Sequence, residues 1–314
     1  MYKLEIQQLI SPAYICLWLK INRYKFLAPK IIFIMNNDLE IRMENIKSIF
    51  QDAKNISEKE NDIKELNNYL ENTNSEFRAV AYEGASMALA LKDFSDAITM
   101  KRWNALLGIS QNYTGNIHIG FGWAIAEAKP KDLSFINAIQ AMNQFRVWDG
   151  CGYYDGIFRQ RNTIKNQTRQ GYITEINFKA YDEGIGRSLW YSCKGNVAKV
   201  AEIIKGFSSS RQPDLWRGIG IACSFVGGCE EIILKTLSTQ AEKHFVQLSI
   251  GSAMVAKTRI HANCITKDSE LACNVWCNLS AEKASQIINK CDSSCNESLI
   301  EWLSLMESEI SYIQ

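Results

Sequence analysis

Residues 40–75 carry Ile41, Ile46, Ile49, Phe50, Ile56, Ile63, Leu66 and Leu70 at helical spacing in a polar background. That pattern predicts one or two amphipathic helices. Further along the chain, small residues recur in i, i+2 pairs beside aromatic and aliphatic runs: Gly84/Ser86, Gly120/Gly122, Gly150/Gly152, Gly184/Gly186, Gly218/Gly220 and Ser249/Gly251. Their first members are 36, 30, 34, 34 and 31 residues apart. A third small residue follows at i+4 (Ala88, Ala124, Ser188, Ala222, Ala253), except in the third copy, where Tyr154 stands. A period in the thirties is the mark of stacked two-helix units, each burying its apolar face only against its neighbours. Glycine in a helix interior costs roughly 0.5–1 kcal/mol relative to alanine, so its repetition calls for close backbone packing.

The second helix of each unit is also legible. Val197, Val200, Ala201 and Ile204 share one face, as do Ile232, Ile233 and Leu237. Ser280 is placed as an N-cap, and Pro213-Asp214 fits the first turn of a helix. Residues 159–174, with four basic side chains, interrupt the pattern and read as an exposed loop or polar linker. No stretch alternates with period two. The expected fold is all-α: stacked helical-hairpin repeats, α-solenoid or α/α toroid-like, about six units in one domain over 36–314. Residues 1–35 stand apart. Their two short apolar runs, 13–19 and 31–35, are broken by Lys20, Arg23, Lys25 and Lys30 and fall short of the roughly 20 residues that span a bilayer. They read as a translated upstream region or a short membrane-surface segment, and no transmembrane segment is expected.

Composition narrows the class. With 46% hydrophobic and 22% charged residues the chain is globular, and 35 basic against 34 acidic residues leave no basic stripe for nucleic acid. Seven of the ten cysteines, such as Cys151, Cys223 and Cys273, lie in or beside apolar helical runs, as reduced thiols in a cytoplasmic protein do.

Candidate chemistry clusters around the small pairs. Trp123, Trp148, Trp190 and Trp216 fall close to them, with Tyr153, Tyr154, Tyr191 and Phe225 alongside. These rings either fill space opposite the small residues or line a cavity for an extended apolar ligand. Ionisable residues precede the pairs: Glu83, His118, Asp149, Asp182/Glu183 and Arg217. In a stacked array they would form a ladder at one end of the helices. Arg187 sits in an otherwise apolar run, where a basic group needs an acidic partner or an anionic ligand. Cys273/Cys277 and Cys291/Cys295 lack zinc-site spacing, and no phosphate loop, HExxH, GxSxG or dinucleotide fingerprint is present. Neither a metal nor a cofactor is expected.

Five ordered motifs carry a resemblance. They begin with the run from Tyr82 to Leu91 (YEGASMALAL), His118-Ile-Gly-Phe-Gly-Trp-Ala124 and Asp149-Gly-Cys-Gly-Tyr-Tyr-Asp-Gly156. The run from Tyr181 to Tyr191 (YDEGIGRSLWY) and that from Asp214 to Cys223 (DLWRGIGIAC) follow. Over roughly residues 40–290 the chain resembles a bacterial domain-of-unknown-function family (domain of unknown function 1702) found beside enediyne-type polyketide synthase genes. The family pattern tends to carry His where Tyr154 stands. The resemblance implies a pathway context: an accessory enzyme of enediyne-like polyketide or polyene metabolism, binding a long unsaturated acyl intermediate. Asp149, Asp182 or Glu83 would supply acid–base help, with His118 as a further candidate. Arg187 would hold a charged end, and Trp123, Trp148, Tyr154, Trp190 and Trp216 would line the cavity. The alternative is a non-catalytic scaffold that docks synthase components. A cavity holding at least two of His118, Asp149, Asp182 and Arg187 favours the enzyme; burial of those groups in ion pairs without a cavity favours the scaffold.

Overall fold

A computed structural model describes residues 37–96, 100–295 and 298–313; residues 1–35, set apart above, lie outside them. The described residues are all-helical, with no strand. Fourteen α-helices follow in order among them: α1 (Asn37–Lys59), α2 (Ile63–Glu71), α3 (Arg78–Ser95), α4 (Lys101–Ile109), α5 (Thr114–Ala128), α6 (Ala141–Phe158), α7 (Phe178–Ser192), α8 (Val197–Lys205), α9 (Gln212–Val226), α10 (Glu231–Ala241), α11 (Phe245–His261), α12 (Lys267–Cys277), α13 (Ala281–Ser294) and α14 (Leu299–Ser311). None is long and apolar enough to cross a membrane.

Local chemistry sets several starts. The side chains of Asp62, Asn196, Thr266 and Ser280 each accept a backbone N–H in the first turn of the helix they cap. Pro213 occupies the first turn of α9, where its missing N–H costs nothing.

The small pairs govern packing. Helices α1, α3, α5, α6, α7, α9, α11 and α13 pack each on the next, while α2, α4, α8, α10 and α12 lie beside them. A methyl group on Gly120 would overlap the Glu83 carbonyl of α3, and one on Gly184 the Asp149 carbonyl of α6. Gly150, Gly218 and Gly251 likewise meet the carbonyls of Ile119, Glu183 and Arg217. The first member of a pair thus faces the preceding helix, at the residue just before that helix's own pair. The second member faces the following helix: Gly122 meets Val147, Gly152 meets Tyr181, Gly186 meets Leu215 and Gly220 meets Leu248. Two carbonyl contacts per pair leave no room for a Cβ.

This register corrects two expectations. In the sixth copy the pair is Gly251/Ala253, because Gly251 makes the first-member contact; Ser249 instead donates to the Trp276 carbonyl at 2.6 Å. Residues 159–174 are not a loose linker. Arg159 reaches Asp155 and the Ala126 carbonyl, Gln170 donates to Asp155 at 2.7 Å, and Arg169 donates to Asp182 at 2.5 Å. Both aspartates are fully buried, so the polar segment is pinned by charge rather than by apolar burial.

Two arginines join helices far apart in the sequence. Arg42 of α1 donates to Asp268 at 3.0 Å and to the Val226 carbonyl at 3.2 Å, at the end of α9. Arg259 of α11 spans the Phe225 carbonyl at 2.8 Å and the Glu76 carbonyl at 3.1 Å, just before α3.

Candidate functional site

Counting from the first member of each pair, positions i−4, i−1, i+3 and i+7 fall on one helix face. Much of that face borders open space. At i−1 stand Glu83, Ile119, Asp149, Glu183 and Arg217; at i+3, Trp123, Tyr153, Arg187, Ile221 and Met254. All of these line one of two adjoining cavities, whereas Ile250 and Met87, at the same positions of the sixth and first pairs, line neither. Position i−4 adds Asn116, Arg146 and Ala180, and position i+7 adds Ile157, Tyr191, Phe225 and Thr258.

The larger cavity, about 620 Å³, is walled by apolar and aromatic groups of α1, α3, α5, α6, α7 and α9, with Glu40, Glu44, Lys47 and Lys194 also in the wall. Phe50 and Trp123 lie 4.8 Å apart, and Trp123 meets Tyr153 edge-on at 4.9 Å. Its size falls in the range of small-molecule sites. The smaller, about 220 Å³, gathers eight charged side chains among apolar ones. Glu83, Arg187 and Phe225 belong to both walls.

Arg187 is the hinge of the electrostatics. Its guanidinium pairs with Asp149, stands 3.9 Å from Glu83 and lies 4.6 Å over the Tyr153 ring. Burial opposes that charge, yet Asp149 and Glu83 together hold its pKa above the ordinary arginine value. Burial dominates at Asp149, pushing the carboxyl up to about 7 despite the pull of Arg187. Arg187 therefore stays charged, and Asp149 is the member whose proton is adjustable near neutral pH. Its Oδ1 is buried without a hydrogen-bond partner, in a side chain that belongs to the chamber wall. Glu83, also raised by burial, accepts from Asn116 Nδ2 at 2.8 Å. Beyond them, Glu183 pairs with Arg217, which also holds Asp214 at 2.8 Å, and Lys257 pairs with Asp292. Burial and the nearby Arg146 lower Lys257 to about 8.

The structure separates the expected site residues by helix face. Glu83, Asp149, Arg187 and Trp123 come together at the cavities. Position i−2 points the other way, toward the outer helices, and takes His118, Trp148, Asp182 and Trp216 with it, outside both linings. Asp182 is bound by Arg211 at 2.9 and 2.6 Å and by Arg169. Trp148 sits beside Tyr172, and Trp190 is packed beside Gly195. Tyr154, at i+4, turns outward to Glu127 at 3.4 Å, with its ring on Phe158. Sequence reasoning misses Arg146, Asn116, Lys257 and Asp292. The first two can be found by stepping one helical turn back from Asp149 and Ile119.

His118 shows what the outer face does to a titratable group. Its Nδ1–H donates to the Thr114 carbonyl at 2.7 Å, its ring meets Trp103 edge-on, and burial pushes its pKa down to about 4. The unfolded chain, with an ordinary histidine near 6.5, therefore takes up the proton first. Stability from the neutral imidazole is full above pH 6.5 and is lost as pH falls through about 4. Urea midpoints taken from pH 7 to 4 should fall more steeply in the wild type than in His118→Gln. The difference curve isolates His118, because every other titrating group is common to both; parallel curves would refute the neutral buried ring.

A family model described as "Protein of unknown function (DUF1702)" matches residues 33–300. No curated protein and no solved structure matches the chain.

Proposed function

The chain belongs to the family described as Protein of unknown function (DUF1702), and we propose that it binds an extended apolar intermediate along the inner face of its helical array and transforms it by acid–base chemistry. We read the array as a curved α/α repeat of about six units, with the cavities on its concave side. The observation that carries the reading is the junction of an aromatic cavity with a charged chamber at Glu83, Arg187 and Phe225. The aromatic walls would take the chain and Arg187 would position a polar end. Asp149, with its pKa near neutrality and one oxygen free, is suited to moving a proton to or from a carbon or carbonyl of that chain. Glu83 is the second carboxyl within reach of the same arginine. The resemblance to a family encoded beside enediyne-type polyketide synthase genes supports an unsaturated acyl or polyketide chain as the ligand class.

Retinol, an uncharged conjugated polyene, is the probe we would use, followed by its fluorescence. Saturable binding to the wild type is expected. Ile157 is half-buried in the cavity wall, and Ile157→Glu should weaken binding by about tenfold or more without unfolding the protein, since it buries a carboxylate against the chain. A wild type that leaves retinol free, or a variant that binds as well, would favour the scaffold that docks synthase components.

A further inference from the structure

The smaller chamber holds four acids, Glu83, Asp149, Glu183 and Asp292, and four bases, Arg146, Arg187, Arg217 and Lys257. Three bases are matched: Arg187 to Asp149, Arg217 to Glu183, and Lys257 to Asp292. Arg146 differs. Among the described residues its guanidinium makes no ion pair and no hydrogen bond, although it lies within the field of Glu183 and Asp149. The remaining acid, Glu83, is engaged by Asn116 and turned to Arg187.

The place of Arg146 is built. Its side chain lies against Gly115 of α5, where a Cβ would come within 2.8 Å of Nη1 and 3.0 Å of Cζ. Glycine there makes room for the guanidinium. Arg146 is only half-buried, yet burial still lowers its pKa, and a part-buried cation without a partner favours a ligand that supplies the counter-charge. Two acceptor atoms in the same wall, Asn116 Oδ1 and Asp149 Oδ1, are buried and also lack partners. A site with one free cation and two free acceptors fits a head group that carries an oxyanion together with an N–H or O–H donor.

We infer that the chamber is the head-group site of the proposed ligand, with Arg146 binding an oxyanion, carboxylate or phosphate, while the chain lies in the aromatic cavity. The inference rests on the apolar-ligand reading, and its test separates the two.

Retinoic acid and retinol share one chain and differ at the head. Wild-type protein should bind the acid about tenfold more tightly than the alcohol. In Arg146→Gln the two affinities should converge, chiefly through loss of retinoic-acid affinity, and Arg146→Lys should retain part of the preference. Gly115→Ala, which crowds the guanidinium, should reduce the preference as well. The unliganded Tm of Arg146→Gln should be no lower than wild type, because no partner is lost; a merely structural arginine would lower it. Equal affinity for acid and alcohol in the wild type, or a preference that survives Arg146→Gln, overturns the inference and leaves apolar binding standing. If neither polyene binds, the apolar reading fails and inorganic phosphate decides the chamber. Phosphate binding lost in Arg146→Gln sustains the oxyanion site; no phosphate binding overturns it.

Discussion

Gly184→Ala is expected to destabilise the protein by about 3 kcal/mol or more in urea unfolding, at the top of the range for overpacked cores. The added methyl would overlap the Asp149 carbonyl and stand 2.6 Å from the Tyr153 amide, both backbone atoms of α6. Neither can rotate away, so the helices must separate, and the next pair transmits the displacement because Gly186 contacts Leu215 of α9. Gly108 supplies the contrast. It lies near the end of α4 with nothing within 4 Å of the place a methyl group would take, so Gly108→Ala should stabilise by up to about 1 kcal/mol through helix propensity. Similar effects at the two sites would mean that the helices do not approach as closely as described.

Arg187→Met should cost about 3–5 kcal/mol, the range for removing one partner of a buried ion pair. It strands Asp149 and Glu83, both buried, beside an apolar side chain. The loss should depend on pH. Asp149 already has a folded-state pKa of about 7 against an ordinary 3.8, so its folded form holds the proton more tightly. The stability this gives is full below about pH 3.8 and is lost as pH rises through 7. Without Arg187 the carboxyl rises further, so the variant's deficit should be greatest above pH 7 and shrink toward pH 5. Arg187→Met combined with Asp149→Asn should recover much of the loss. A deficit that does not vary with pH would mean that Asp149 is not the stranded charge.

The helical character and the small-residue period are readable because both follow from spacing alone. What spacing does not settle is which neighbour of each pair looks inward. Asp182 and Glu183 are adjacent in sequence and about 100° apart around α7, so one joins the outer ion pairs of Arg211 and the other the inner chamber. His118 and Ile119 divide in the same way. Spacing puts the sixth pair two residues early because Ser249 is itself small; only contact with the Arg217 carbonyl distinguishes Gly251. Segment 159–174 reads as a linker because its anchors, Asp155 and Asp182, lie elsewhere in the chain and act through charge. Lys257 and Asp292, on α11 and α13, reach the chamber only through tertiary closure, which local pattern does not encode.

We propose that the helix face set by the small pairs forms one ligand site. A crystal structure of the protein with retinoic acid tests it most directly. The polyene is expected between Phe50, Trp123 and Tyr153, with its carboxylate past Arg187 toward Arg146. A ligand bound on the outer face beside His118 or Asp182, or a cavity found filled by its own side chains, would contradict it.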